Sequence, residues 1–106
     1  MSVLMTEVRR AMGDETKAQF GAVANVEAEF HGETLRVHTN EENPWDQMKV
    51  ELHLKTNIYG DEVDGYYISY SSMWQSARAA DTMSVLLGGV AAIAKKLEAM
   101  GVPVKS

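Results

Sequence analysis

Apolar and polar residues alternate through the middle of the chain with a period of two, which is typical of half-buried β-strands. Every even position from Phe20 to Phe30 is apolar, and most odd positions are polar. The pattern stops at His31 and Gly32 and resumes from Glu33 to Thr39. Because glycine tolerates the positive φ angle that tight hairpin turns need, the sequence predicts two antiparallel strands joined by a turn at His31 and Gly32.

A two-residue turn at these positions determines which residues face each other across the predicted hairpin. Ala28 pairs with Leu35 on the apolar face, and Glu27 pairs with Arg36 on the polar face. If Arg36 also lies opposite Glu51 on the next strand, a row of alternating charge crosses three strands. A shift by one residue would move every apolar side chain to the polar face, so the pattern favours this register.

Residues 48–58 and 66–71 continue the alternation and predict two further strands. The connections 40–46 and 60–65 contain Asn, Pro, Asp and Gly, the residue types that favour turns. The sequence therefore predicts a four-stranded antiparallel meander with one face exposed to solvent. The inward positions are Met48, Val50, Leu52, Leu54, Thr56 and Ile58 in the first run and Tyr66, Ile68 and Tyr70 in the second.

A helical period precedes these strands. The apolar residues between Leu4 and Met12 recur at spacings of four, three and one, so they fall on one stripe of a helix. Gly13 supplies a C-terminal cap, and residues 14–19 are interpreted as a connection to the first strand.

A longer helical pattern follows the last strand. Ser72 lies three residues before Gln75, which is the spacing of a capping box and predicts the start of the helix. Gly101 and Pro103 end the pattern. The buried positions follow a four-three spacing at Ala79, Met83, Leu86, Val90, Ile93, Leu97 and Met100.

The order helix, four strands, helix predicts an α+β fold with two layers. A chain of 106 residues is long enough for one domain, residues 1–106, and one hydrophobic core. Both helices are expected to cover the apolar face of the antiparallel sheet, and the other face is expected to be polar and exposed.

The predicted C-terminal helix is longer than the strands that it covers. The 28 residues from Met73 to Met100 span about 42 Å, whereas strands of this size span roughly 25 Å. Either the helix bends at Gly88 and Gly89, or half of it packs elsewhere. Small residues recur every four positions beside the apolar stripe, and they either pack in the core or form an interface between copies of the chain. This candidate oligomer interface comprises Ala80, Ser84, Gly88 and Ala92.

The charge balance limits the classes of partner. Fifteen acidic and ten basic residues give a net charge of −5, which repels nucleic acids and anionic lipids. With no cysteine, the chain has no disulfide, no thiolate zinc site and no cysteine nucleophile. No stretch reaches the roughly 18 apolar residues of a membrane span, and no signal peptide is indicated. The sequence therefore predicts a cytoplasmic protein that binds neither nucleic acid nor membrane.

The candidate catalytic residues match no catalytic motif. Ser69, Ser71 and Ser72 lack the Gly-x-Ser-x-Gly pattern of a nucleophile elbow. His38 and His53 are expected several residues apart on the exposed sheet face, and a zinc site needs three or four convergent ligands. We therefore expect no enzyme activity, no metal and no cofactor.

Two acidic segments are the strongest candidates for a binding surface. Trp45 follows Pro44 on a stiffened loop, and tryptophan is enriched at the energetic centres of interfaces. Its acidic neighbours would steer a basic partner toward it. Alternatively, Trp45 closes the end of the core beside Trp74 or Met73. The predicted partner-binding residues are Glu41, Glu42, Trp45 and Asp46 in the first segment and Asp61, Glu62 and Asp64 in the second.

The leading functional hypothesis from the sequence is a non-enzymatic protein that occupies a basic surface of a partner protein. An inhibitor of a nucleic-acid-handling complex, such as an anti-CRISPR-like phage protein directed against bacterial defence, would have this size and charge. One alternative is a homo-oligomer that binds a small ligand such as a nucleotide. Another is an assembly adaptor or chaperone whose sheet edge or face receives another chain.

Overall fold

Five strands and two helices make up the described part of the fold. A computed structural model describes residues 2–40, 47–72 and 77–105, apart from the side chains of residues 71, 72, 78 and 79. In chain order the elements are β1 (Val3–Leu4), α1 (Met5–Phe20), β2 (Val26–His31), β3 (Thr34–Thr39), β4 (Met48–Thr56), β5 (Glu62–Ser72) and α2 (Ala77–Ala99).

The strands form one antiparallel sheet in the order β1-β5-β4-β3-β2. The predicted α+β arrangement and the meander from β2 to β5 are confirmed. The fifth strand, β1, is an addition, because Val3 pairs with Val63 and Leu4 with Glu62 at the outer edge of β5. The helical stripe predicted from the sequence includes Leu4, since a strand of two residues is too short to show an alternating pattern.

The β2–β3 hairpin keeps the predicted faces but not the predicted register. Gly32 and Glu33 form the turn, so Ala28 pairs with Val37 rather than with Leu35. Gly32 has a φ angle of +62°, which suits a tight hairpin turn. Because the register differs from the prediction by two residues, the same side chains still point into the core.

The predicted row of alternating charge is present in a modified form. Arg36 lies opposite Glu51, as predicted. On its other side Arg36 lies opposite Glu29 rather than Glu27, as a result of the shifted hairpin register. The row of alternating charge is kept because Glu29 takes the place of Glu27 opposite Arg36.

The N-terminal helix is longer than predicted. α1 runs to Phe20, so residues 14–19 are helical and do not form a connection. Gly13 lies inside the helix, where its cost of about 1 kcal/mol relative to alanine is outweighed by the burial of the apolar face, including Phe20. The strand predicted over residues 20–30 correspondingly begins only at Val26.

The alternating pattern overestimates the length of β4 and the burial of β5. β4 ends at Thr56, and Ile58 is 91% exposed in the loop that follows. On β5, Tyr66 is buried, but Ile68 and Tyr70 are 37% and 62% exposed. Their partners on β4 are buried, so both side chains lie at an uncovered margin of the core face.

The C-terminal helix is continuous through Gly88 and Gly89. Ser72, the predicted N-cap residue, is instead the last residue of β5. The described helix has 23 residues and is about 35 Å long. A Cβ atom at Gly89 would lie 2.1 Å from the Phe20 ring, so glycine here allows α2 to approach the end of α1 closely.

α2 ends in a glycine cap, as predicted. Gly101 has a φ angle of +95°, and its N–H donates to the Glu98 carbonyl at 3.0 Å. The N–H of Val102 donates to the Leu97 carbonyl at 2.9 Å, which completes a Schellman motif. Val102 is fully buried, so the cap also contributes a side chain to the core.

The residues after the cap return to the edge of β5. Tyr66 N–H donates to the Pro103 carbonyl at 3.1 Å, Lys105 N–H donates to the Tyr66 carbonyl at 2.6 Å, and Val104 thereby forms a parallel bridge with Tyr66. The Tyr66 hydroxyl donates to Glu98 Oε1 at 2.8 Å. Burial, followed by the hydrogen bond to Glu98 and the charge of that carboxylate, raises the pKa of Tyr66 to about 12.

Both helices pack on one face of the sheet, and the core lies between the two layers. The inward side chains of β3 and β4 are buried, and their outward neighbours are largely polar and at least partly exposed. This arrangement confirms the predicted polar outer face. The main core residues are Val8, Met12, Phe20, Leu35, Val37, Val50, Leu52, Val63, Met83, Leu86, Val90, Ile93 and Leu97.

Candidate functional site

The outer face of the sheet carries charged residues that neutralise one another. Arg36 Nε and Lys49 Nζ each lie 3.4 Å from a carboxylate oxygen of Glu51. Partial burial acts to raise the pKa of Glu51, but the hydrogen bonds and charges of Lys49 and Arg36 outweigh burial and lower that pKa. The central charges of this face are therefore satisfied within the molecule.

All three histidines lie on this outer face. His31 Nε2 lies 3.2 Å from Glu29 Oε1, and His38 Nε2 lies 3.3 Å from the same oxygen. The hydrogen bond with His31, supported by His38, lowers the pKa of Glu29. Within the described ranges, no three His, Asp or Glu side chains converge as a metal site.

His53 makes polar contacts through both ring nitrogens. Nδ1 lies 3.1 Å from Thr34 Oγ1, and Nε2 lies 2.8 Å from Ser69 Oγ. The ring stacks on Tyr67 with a centroid separation of 4.5 Å. A serine–histidine contact is one requirement for a serine nucleophile, but Glu51 lies opposite Ser69, and its charge opposes the oxyanion that such chemistry creates. We therefore interpret the contact as a link between β3, β4 and β5.

The loop between β4 and β5 presents apolar side chains to solvent. Ile58 is 91% exposed and Tyr59 is 81% exposed. Acidic residues lie beside them, at the end of the loop, at the start of β5 and in the neighbouring β2–β3 turn. We call this surface the acidic tip; it comprises Glu33, Ile58, Tyr59, Asp61, Glu62 and Asp64.

Hydrogen bonds centred on Asn57 hold the loop of the acidic tip. Asn57 Nδ2 donates to Asp61 Oδ1 at 2.7 Å, and Asp61 N–H donates back to Asn57 Oδ1 at 3.2 Å. Gly60 N–H donates to the Asn57 carbonyl at 3.1 Å, and Met5 N–H donates to the Asp61 carbonyl at 2.8 Å. Gly60 has a φ angle of +74°, which glycine adopts without strain. The exposed residues are thus carried on an ordered turn.

Three of the four carboxylates of the acidic tip, those of Glu33, Asp61 and Glu62, accept hydrogen bonds from neutral donors. Glu33 Oε1 accepts from Thr56 Oγ1 at 3.0 Å, and Glu62 Oε2 accepts from Ser2 Oγ at 3.0 Å. In the part of the chain that the structure describes, no carboxylate of the acidic tip forms an ion pair. Among the described residues its negative charge is therefore not balanced by ion pairs, in contrast to the charge of the outer sheet face.

The structure brings together one of the two predicted acidic segments. Asp61, Glu62 and Asp64 lie at the acidic tip, although Glu62 and Asp64 belong to β5 and not to a loop. The other predicted residues, Glu41, Glu42, Trp45 and Asp46, lie outside the described residues, as does Trp74. The ends of β3 and β4 that they connect lie at the opposite end of the sheet from the acidic tip.

Ile58 and Tyr59 were not predicted as site residues. The alternating pattern assigns Ile58 to the buried side of a strand, since it continues the even-numbered apolar series. The signal that could have identified the loop is the pair Asn57 and Gly60, because both residue types favour turns.

The small-residue stripe of α2 faces partly toward solvent. Ser84 and Gly88 are exposed, and Ala80 and Ala92 are half-buried. A Cβ atom at Gly88 would meet nothing within 4 Å in the described chain. The core therefore does not bury the whole stripe. An oligomer interface at these residues stays a prediction.

Comparisons with protein-family models, with curated proteins and with solved structures each found no match. Neither helix, over the residues that the structure describes, is long and apolar enough to cross a bilayer. The proposed function therefore rests on the geometry of the chain alone.

Proposed function

We propose that this chain is a non-enzymatic binding protein whose acidic tip occupies a basic, partly apolar surface of a partner protein. The observation that carries the proposal is the exposure of Ile58 and Tyr59, at 91% and 81%, on a turn flanked by carboxylates that form no ion pair with any described residue. Apolar anchors supply affinity and charges supply orientation, so the combination suits protein recognition.

Three energetic properties of the acidic tip favour a role in binding a partner. Burial of a large aliphatic or aromatic side chain contributes about 1.5–3 kcal/mol, so Ile58 and Tyr59 together can anchor an interface. The hydrogen bonds around Asn57 order the loop before any partner arrives, which reduces the entropy lost on association. The carboxylates accelerate encounter with a basic surface and disfavour acidic partners.

The partner class follows from the charge. Proteins that handle nucleic acids use basic surfaces to bind phosphates, and a chain of net charge −5 is suited to cover such a surface. Occupation of that surface would exclude the nucleic acid, so an inhibitor of a nucleic-acid-handling complex, including a phage anti-defence protein, is the form of the proposal that we favour.

A peptide library displayed on phage tests the proposal directly, because the selection reveals the chemistry that the chain recognises. Selection on the immobilised chain is expected to enrich basic peptides that contain apolar residues. Three variants are then compared: Ile58→Ser with Tyr59→Ser, Asp61→Asn with Asp64→Asn, and the control Val85→Ser, which removes an apolar side chain that is 48% exposed on α2. We expect the first variant to weaken binding at all salt concentrations and the second to reduce its salt dependence.

The control variant should bind like the unmodified chain. Selected peptides without basic residues, or equal binding by the Ile58 and Tyr59 double variant, would show that the acidic tip is not the recognition surface.

A further inference from the structure

The outer edge of β5 is only partly covered in the residues that the structure describes. β1 covers positions 62–63, and the residues after α2 cover Tyr66. From Ile68 to Ser72, no described strand lies on that side. Because Tyr66 uses its backbone N–H and C=O on the outer edge, strand geometry directs those of Ile68 and Tyr70 to the same side. We call residues 68–72 the free edge.

The free edge lacks the features that normally prevent strand pairing. Its sequence, Ile-Ser-Tyr-Ser-Ser, contains neither a charged residue nor a proline. The other edge of the sheet is different, since β2 carries Glu27 and Glu29, and two copies of β2 would bring these carboxylates together. Ile68 and Tyr70 are also partly exposed on the core face. The free edge is therefore a template for another strand.

We propose that the free edge pairs with the free edge of a second copy of this chain, antiparallel about a two-fold axis at Tyr70. Two-fold symmetry is the closed solution when one surface binds itself. The axis position follows from the covered part of β5: centring on Tyr70 places Ile68 opposite position 72 of the second copy, so pairing ends before Tyr66. The five strands of each copy then form one continuous sheet.

The charges next to the free edge do not oppose pairing in this arrangement. On β4, Lys49 is registered with Ser71 and Glu51 with Ser69. About an axis at Tyr70, Ser71 lies opposite the second copy's Ser69. Each row across the junction therefore runs from Lys49 through two uncharged serine positions to the second copy's Glu51, so no like charges lie directly opposite each other at the junction. Two chains of net charge −5 meet here without opposing carboxylates.

The exposed side chains on the core face also gain partners. Tyr70 meets the second copy's Tyr70 across the axis, and aromatic side chains on neighbouring strands attract each other. The acidic tip lies at the other end of β5, so it remains accessible in both copies. The dimer therefore extends the proposed function and does not compete with it.

Sedimentation equilibrium tests the dimer on the unmodified full chain, on Tyr70→Lys and Tyr70→Glu alone and mixed, and on Tyr59→Lys and Gly88→Leu. The unmodified chain is expected to have twice the monomer mass. Tyr70→Lys and Tyr70→Glu should each raise the dissociation constant by at least about tenfold, because like charges then meet at the axis. An equal mixture of the two variants should restore the dimer, since lysine faces glutamate. Tyr59→Lys, the same change at the acidic tip, is the control and should leave the dimer intact.

A monomeric unmodified chain would overturn the proposal, as would a dimer that tolerates Tyr70→Lys or a mixture that stays monomeric. Mixing also separates lost pairing from misfolding, because an unfolded variant cannot regain a dimer in this way. Dissociation by Gly88→Leu but not by Tyr70→Lys would assign the interface to α2 instead of the free edge. Failure of the dimer leaves the peptide-binding test of the acidic tip unaffected.

Discussion

Gly88 and Gly89 are neighbours in α2, but their surroundings differ. A Cβ atom at Gly88 would meet nothing within 4 Å, whereas one at Gly89 would lie 2.1 Å from the buried Phe20 ring. We expect Gly88→Ala to raise the free energy of unfolding by about 0.5–1 kcal/mol, because alanine is the better helix former. Gly89→Ala should lower it by about 1–3 kcal/mol, because the ring must move.

Urea denaturation of the two alanine variants measures this difference, and each variant is the control for the other. Equal changes would mean that Gly89 is not the contact between α1 and α2. A loss of stability in Gly88→Ala would indicate that another chain packs closely on the small-residue stripe.

The Tyr66 hydroxyl links β5 to α2 and gives the protein an alkaline limit. Its pKa of about 12 lies above the ordinary value of 10.0, so the folded state keeps the proton longer than the unfolded state. The resulting stability is complete below pH 10 and is lost as the pH rises toward 12. The free energy of unfolding of Tyr66→Phe should therefore decrease less between pH 10 and 12 than that of the unmodified chain.

Chemical denaturation between pH 9 and 12 of the unmodified chain, Tyr66→Phe and the control Tyr59→Phe checks the alkaline limit. Tyr59 is exposed, so its variant should follow the unmodified chain. The same alkaline decline in all three proteins would contradict a role for Tyr66.

Among the elements, the short segment after α2 is stabilised by one buried side chain. Val102 is fully buried in the Schellman cap, whereas Val104 is 61% exposed. Val102→Ala should lower the free energy of unfolding by about 2 kcal/mol, from two lost methyl groups and the cavity that they leave. Val104→Ala is the matched control and should change stability by less than about 0.5 kcal/mol. Thermal unfolding of both variants tests the assignment, and similar losses would argue against the cap.

The elements that were predicted correctly are those whose period persists over many residues. β3, β4 and most of α2 follow from long regular patterns of buried positions. The end of α1 does not, because Phe20 fits both the helical stripe and the alternation that follows, and only packing against Gly89 decides between them. β1 is too short to carry a period. The hairpin register differs by two residues because that shift preserves every face, so the pattern cannot distinguish the two registers.

At the scale of the whole molecule, the negative charge is unevenly distributed. Cations on the outer sheet face are paired with Glu51, while the described carboxylates of the acidic tip have no ion pairs. Repulsion within the acidic tip should destabilise the folded chain at low ionic strength. We expect stability to rise as salt increases from about 0.01 to 0.3 M, where screening is effective. Asp64→Asn should reduce this rise, and the control Ser84→Asn on α2 should not. A fall in stability with salt would contradict the charge distribution.

The acidic residues of the site can be predicted from the sequence, whereas the exposed apolar residues cannot. Asp61, Glu62 and Asp64 are evident from the sequence, since a short segment with several acids lies at the surface. The exposure of Ile58 depends on where β4 ends, and a residue that continues an alternating pattern gives no sign that the strand has stopped. After Thr56 the chain forms a turn that is held by the hydrogen bonds between Asn57 and Asp61.

Both ends of the described chain lie on the same edge of the same strand. Val3 pairs with Val63, and Val104 bridges to Tyr66, so the two residues are separated by roughly 10 Å along β5. A linker of a few residues could join them, and new termini could be opened at the turn of Gly32 and Glu33. Such a circular permutant should keep the same sheet order, because the fold depends on which strands are neighbours and not on the order in which the chain connects them.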